Sequence, residues 1–263
     1  IAGPTQSVAK IEQAISSMTY LDELFSSSFG APAPQNTVIY VADLSHADIS
    51  SGAVALAAKP NIVLYNKDNL ERQSLFEVHS VLIHEIAHNA EQNATLFRGS
   101  TYVAPWFKEG LAVFMETQAR PHIFKNMTDQ AVADLTNQTH MFSANELKRK
   151  NAKPFDYLFP GGLLTPVADA YNHSGVVLSN FHRKVGGSGM KKLFTDLQNQ
   201  NSSPISDFND STVITGMMTT ISGLSQDEIL FPYKTSSNFE NDAAPLTHPA
   251  YTGADEDAVL DYI

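Results

Sequence analysis

Residues 81–90 read Val-Leu-Ile-His-Glu-Ile-Ala-His-Asn-Ala, and this stretch limits what the chain can fold into more than any other. No Pro or Gly interrupts residues 75–90, and Leu75, Val78, Leu82 and Ile86 recur at helical spacing, with Phe76, Ile83, Ala87 and Ala90 beside them. A helix this apolar has to be buried over most of its surface. His84 and His88 are one turn apart on the same face, roughly opposite the apolar stripe, so a second body of protein must lie against them.

Two imidazoles at this spacing can reach one metal ion, and the H-E-x-x-H order puts Glu85 next to them. Neutral imidazole suits zinc; a third protein ligand would leave a fourth position for water, whose pKa the ion lowers. A carboxylate close to the ion without binding it can take a proton from that water and return it to a leaving amine, which makes Glu85 the candidate general base.

The third ligand has a candidate in residues 105–116, Pro-Trp-Phe-Lys-Glu-Gly-Leu-Ala-Val-Phe-Met-Glu. Pro105 suits a first helical turn, and Phe107, Leu111 and Phe114 share an apolar face. Glu109 would then lie early on a second helix packed against the first, about twenty residues after His88. Glu116, two turns further on, is either a partner for a ligand histidine or a solvent-facing carboxylate.

H-E-x-x-H followed at this distance by W-x-x-E-G-x-A over residues 106–112 resembles the gluzincin metallopeptidases, the thermolysin-like clan that includes the aminopeptidase N family. The resemblance implies one zinc per chain held by His84, His88 and Glu109, with Glu85 as catalytic base. A metzincin would instead continue with Gly at 91 and His or Asp at 94, where this chain has Glu91 and Ala94.

The resemblance continues more loosely near residues 168–181. Aminopeptidase N relatives carry a tyrosine at a helix start, about sixty residues beyond the ligand glutamate, that stabilises the oxyanion. Tyr171 holds that place, and Ser174, Val177, Leu178, Phe181 and Val185 share a helical face beyond it. The residues after Tyr171 are Asn172-His173-Ser174 rather than the family's usual x-Lys-Gly, which leaves His173 as a rival donor.

Elsewhere the pattern is that of a mixed fold. Val8, Ile11, Ile15, Met18, Leu21 and Phe25 lead us to expect one helix running to Gly30, with Pro32 and Pro34 after it. Residues 38–41 and 61–65 read as strands, and 43–52 as a loop. By resemblance, residues 62–65 occupy the place of the edge strand to which substrate adds; read from the residues alone, they fit an ordinary core strand equally well. Modest helical patterns follow at 130–136 and 144–150, and a Pro- and Gly-rich loop runs through 154–162. His122 and His140 read as surface or loop histidines. Helices at 190–197, 213–221 and 225–231 complete a second lobe, with Ser225 and Glu228 spaced as a helix cap.

Composition excludes some functions. The 263 residues carry 17 Lys and Arg against 28 Asp and Glu, a formal charge of −11, so no concentrated basic face offers itself to nucleic acid. With no cysteine, neither disulfide nor thiolate chemistry is open to the chain. No stretch approaches a membrane span. A chain that opens on Ile1, polar and free of cysteine, leads to the expectation of a processed protein, secreted or periplasmic.

The expected fold is therefore α+β: a gluzincin domain over 1–232, with an α/β lobe (1–92) that ends in the zinc helix, a mainly helical lobe (93–232), and an acidic polar tail (233–263). The expected function is zinc-dependent hydrolysis of peptide bonds in peptide or protein substrates. Residues 57–66 lack the acidic motif with which aminopeptidase N relatives bind a free amine, so internal cleavage is the first expectation. The alternatives are an aminopeptidase of the same clan, or a zinc-bound module that binds without turnover; Glu85 speaks against the latter, because a scaffold has no use for the base.

Overall fold

The computed structural model describes residues 1–44, 54–59, 61–93, 105–124, 167–201 and 211–231. The patterns at 130–136 and 144–150, the loop at 154–162, His140 and the tail from 233 lie outside the described residues, as does most of the loop expected at 43–52.

Two short helices, α1 (Thr5–Ser16) and α2 (Leu21–Phe29), stand where one was expected. The apolar stripe continues across the break, but Ser17 stops the first helix: its backbone N–H and its Oγ both turn back to the Ala14 carbonyl. Gly30 closes α2 in the left-handed conformation, φ 73°.

Three strands follow, β1 (Val38–Ala42), β2 (Ala55–Lys59) and β3 (Ile62–Asn66), in the spatial order β1-β3-β2. β3 pairs parallel with β1 and antiparallel with β2, so the sheet is mixed. Of the two readings open for residues 62–65, this corrects the edge strand implied by resemblance and selects the core strand: β3 is central, and among the described residues the edge on the side of the H-E-x-x-H helix is β2. The sequence hides β2 because Ala-Leu-Ala-Ala-Lys has neither the β-branched residues nor the alternation of a strand. It is a strand because β3 gives it a partner.

Beyond β3, Asn66 caps a short helix α3 (Lys67–Arg72) by accepting from the Asp68 N–H. Helix α4 (Leu75–Asn93) carries the H-E-x-x-H motif. A reciprocal cap starts it: the Glu77 N–H donates to Ser74 Oγ at 3.2 Å, and the Ser74 N–H donates to Glu77 Oε2 at 2.5 Å. Val78, Leu82, Ile83 and Ala87 are wholly buried. α4 packs on β2, β3 and α1 on one side and on helix α5 (Pro105–Phe124) on the other.

α5 is buried nearly all round, with Phe107, Leu111, Ala112, Val113, Phe114 and Met115 out of solvent. Its other flank meets helix α6 (Val167–Asn201), which is kinked at Gly186, and α6 in turn packs on α2 and α7 (Ser211–Ser222). The last described helix, α8 (Gln226–Leu230), opens with the Ser225/Glu228 cap expected from the sequence. A sheet lobe and a largely helical lobe thus share one hydrophobic core, with α4 and α5 at its centre. No helix among the described residues is long and apolar enough to cross a membrane.

Candidate metal centre

The centre lies where α4 and α5 face each other. His84 and His88 project from α4, and Glu109 from the second turn of α5. Glu109 Oε2 lies 3.2 Å from His84 Nε2 and 3.3 Å from His88 Nε2, and the two Nε2 atoms are 3.1 Å apart. Metal bonds of about 2.0–2.1 Å at tetrahedral angles place ligand atoms about 3.4 Å apart, so the three atoms have the spacing of one face of such a tetrahedron. Among the described residues they form a cluster able to hold a metal ion.

The donor set fits a divalent cation on charge as well. Glu85, Glu91 and Glu116 are buried with Glu109 close by, and Arg120 is the buried cation among the described residues. With both imidazoles neutral, the four carboxylates outnumber this guanidinium among the described residues, and the excess negative charge is costly away from water unless protons or a cation offset it.

The groups drive one another's protonation. Burial pushes the Glu109 carboxyl up, but His88 and the hydrogen bonds from both imidazoles outweigh it and hold Glu109 well below the usual carboxylate range. Burial pulls His84 down, yet the carboxylates of Glu109 and Glu116 hold it well above the ordinary imidazole value. His88 is likewise pulled down by burial and lifted by Glu109 and Glu91 to about 9. Three groups that favour a bound positive charge this strongly are prepared for a cation.

Each imidazole turns its other nitrogen to a carboxylate. His84 Nδ1 lies 2.8 Å from Glu116 Oε1, and Ser80 Oγ donates to Glu116 Oε2 at 2.5 Å. Of the two readings open for Glu116, the structure rules out the solvent-facing carboxylate and makes it the partner of His84. His88 Nδ1 lies 3.4 Å from Glu91 Oε2.

Glu85 is buried on the β2 side of α4 and accepts from the Ala57 N–H. Burial raises its pKa, the positive potential of His84 and His88 lowers it, and Glu109 raises it again; the net direction is up. That direction suits a proton acceptor working near neutrality. Tyr65, fully buried on β3, has its hydroxyl engaged by Gln73.

Gly110 explains how α6 comes close. A Cβ there would stand 2.9 Å from the Ser174 carbonyl oxygen, and at Gly175 one would stand 2.4 Å from Val113 Cγ1. The two helices cross on bare backbone at the residue after Glu109. Tyr171 belongs to α6, which starts at Val167, ahead of where the sequence placed it; the tyrosine side chain lies outside the described residues. His173 is wholly buried, and its Nε2 donates to the Leu230 carbonyl at 2.9 Å. His122 stacks on Tyr20 with ring centroids 4.6 Å apart.

Against models of known protein families, residues 9–157, more than half of the chain, match the Peptidase family M1 domain. The chain belongs to peptidase family M1. This M1 peptidase is thus a zinc metallopeptidase of the gluzincin type, and its His84, His88 and Glu109 form a cluster able to hold a metal ion. Searches of curated proteins and of solved structures give no match. Sequence reasoning missed Glu91, whose only signal was its place on the histidine face of the helix, and Ser74, whose S-x-x-E spacing to Glu77 could have been read.

Proposed function

We propose that this M1 peptidase holds one zinc ion per chain on His84, His88 and Glu109 and acts on the N-terminal end of its substrates, as an aminopeptidase of the gluzincin clan. Membership of family M1, together with the likeness of residues 106–112 to the aminopeptidase N relatives, supports this reading above the internal cleavage first expected. Zinc bound there lowers the pKa of water and polarises the scissile carbonyl.

The chain's own residues do the rest. Glu85, buried with a raised pKa and steadied by the Ala57 N–H, takes a proton as the water oxygen bonds to the carbonyl carbon, and returns it to the amine as the C–N bond breaks. Tyr171, on the part of α6 that leads to the Gly110 crossing, donates its hydroxyl to the oxyanion. An extended substrate adds its backbone to the outer edge of β2, beside Glu85.

The observation that carries the reading is the 3.1–3.3 Å triangle of His84, His88 and Glu109 within an M1 domain. Internal cleavage keeps one observation in its favour: neither β2 nor β3 contains a carboxylate to receive a substrate ammonium. A peptide mixture in free and N-acetylated forms separates the two. The aminopeptidase releases single residues from free peptides only, whereas internal fragments from acetylated peptides would reverse the assignment. Glu85→Gln should lower turnover by about 10² to 10⁴ at unchanged zinc content. Equal turnover in the variant would remove Glu85 from the reaction.

A further inference from the structure

The two ligand histidines are held by unlike partners. His84 has a carboxylate from a second helix, Glu116 on α5, and Ser80 fixes that carboxylate's other oxygen. Among the described residues, His88 Nδ1 has a partner from its own helix one turn on, Glu91, whose side chain is 0% exposed. Glu91 Oε2 lies 3.4 Å from His88 Nδ1, while Glu91 Oε1 is buried and has no hydrogen-bond partner among the described residues.

A carboxylate buried with one oxygen unsatisfied is costly, and a merely structural position on a helix would be better filled by Leu or Met. What offsets the cost must come through the oxygen that is used, and its partner is His88. We propose that Glu91 is a positioning residue for His88: by accepting from Nδ1–H it fixes the neutral tautomer in which Nε2 carries the lone pair, and it aims that lone pair at the metal position. This rests on the reading of His84, His88 and Glu109 as a zinc site.

The geometry around Nε2 agrees. His88 Nε2 is the atom 3.3 Å from Glu109 Oε2 and 3.1 Å from His84 Nε2, so the proton has to sit on the other nitrogen for the ring to serve as a ligand. Ser80, His84, His88 and Glu91 follow one another along the α5-facing side of α4, forming a continuous polar seam on that side of the helix. Within that seam the His88–Glu91 contact is longer than the His84–Glu116 contact, which makes Glu91 the weaker of two equivalent holds.

The test is the zinc dissociation constant, measured by competition with a chromogenic chelator on wild type, Glu91→Gln, Glu91→Leu and Glu116→Gln. Glu91→Gln keeps the shape and an acceptor but loses the charge, and should weaken zinc about tenfold; Glu91→Leu removes the acceptor and should weaken it by up to about 100-fold. Glu116→Gln should cost at least as much as Glu91→Gln. Melting of each metal-free variant, recorded alongside, separates positioning from packing. A purely structural Glu91 would shift the metal-free melt and leave the zinc constant within about twofold of wild type, and that result overturns the proposal. Should Glu91→Leu fail to fold, the isosteric Glu91→Gln decides alone. Wild type that binds no zinc would overturn the reading of the site and this inference with it. Zinc-binding wild type with unaffected Glu91 variants would overturn only the inference.

Discussion

His79 and His88 occupy the same helix, both buried, and their surroundings drive them in opposite directions. His79 faces α1, where its Nε2 meets the Ala14 carbonyl at 2.9 Å and the Ser17 hydroxyl. Burial pulls its pKa down, and backbone carbonyls only partly offset this. His88 faces α5, where the carboxylates of Glu109 and Glu91 overcome the same burial. Neutral acceptors fix a ring in place without recruiting a proton, whereas carboxylates recruit one, and a metal ion can take that proton's place. The α1 face of α4 is therefore structural and its α5 face chemical.

Glu109→Ala strikes the chemical face hardest. Two imidazoles make an incomplete site, so zinc content should collapse and activity should fall to less than about a tenth of wild type, with α-helical content kept. Full zinc occupancy in that variant, by elemental analysis, would break the division of the helix into two faces.

The same contrast recurs on α6, between Tyr171 and His173. His173 resembles His79: it is buried and bound to the Leu230 carbonyl. His173→Ala should lower stability by about 1–3 kcal/mol by leaving a buried partner unsatisfied, with turnover per folded molecule near normal. Tyr171→Phe should lower kcat by about 10² to 10³ with little change in KM, zinc content or melting. The reverse pattern, with turnover intact in Tyr171→Phe and lost in His173→Ala at full zinc content, would show that the oxyanion donor is His173.

A smaller effect is expected from Gly110→Ala. The added Cβ meets the Ser174 backbone at 2.9 Å, and neither helix has a flexible side-chain end there to yield. Overpacking of this kind costs about 1–3 kcal/mol, read as a lowered Tm, and the strain falls beside Glu109. An unchanged Tm would mean that α5 and α6 are free to part.

The smallest effect is one of pH. In metal-stripped protein, His88 has a folded pKa of about 9 against an ordinary value near 6.5, so its bound proton stabilises fully below about pH 6.5 and that contribution disappears as pH rises through about 9. His79, shifted the other way, costs stability only as pH falls below about 6.5. Thermal melts in EDTA should therefore decline from about pH 6.5 to 9, and with zinc restored the decline should shrink or reverse, because the ion needs neutral imidazoles. A metal-free melt that climbs over this range would contradict the assignment.

The chemical face was readable in the sequence for a physical reason. Ligand spacing on a helix is local, and the apolar stripes of α4 and α5 are long enough to fix their phase, so His84, His88 and Glu109 could be set facing one another, with Glu85 next to His84 on the adjoining side of α4, before any contact was known. What escaped depends on partners distant in sequence. β2 has an alanine-rich, weakly patterned sequence and exists through β3, so the choice between edge and core for residues 62–65 had to wait for that pairing. The end of α1 turns on the bonds of Ser17, which no periodicity records. The choice of partner for Glu116 had to wait for the crossing of α4 and α5. Glu91 looked like any polar helical residue until its burial was known.

β2 is short, and its register with β3 slips between Ala57 and Lys59. A strand laid against its outer edge can keep ladder spacing only up to that slip, after which the hydrogen-bonding groups no longer line up. Short peptides adding to this edge, as proposed above, would therefore dock and leave, while the long edges of other sheets find no continuous template for aggregation. The same irregularity would let the edge proposed for substrate stay open without becoming a seed for fibrils.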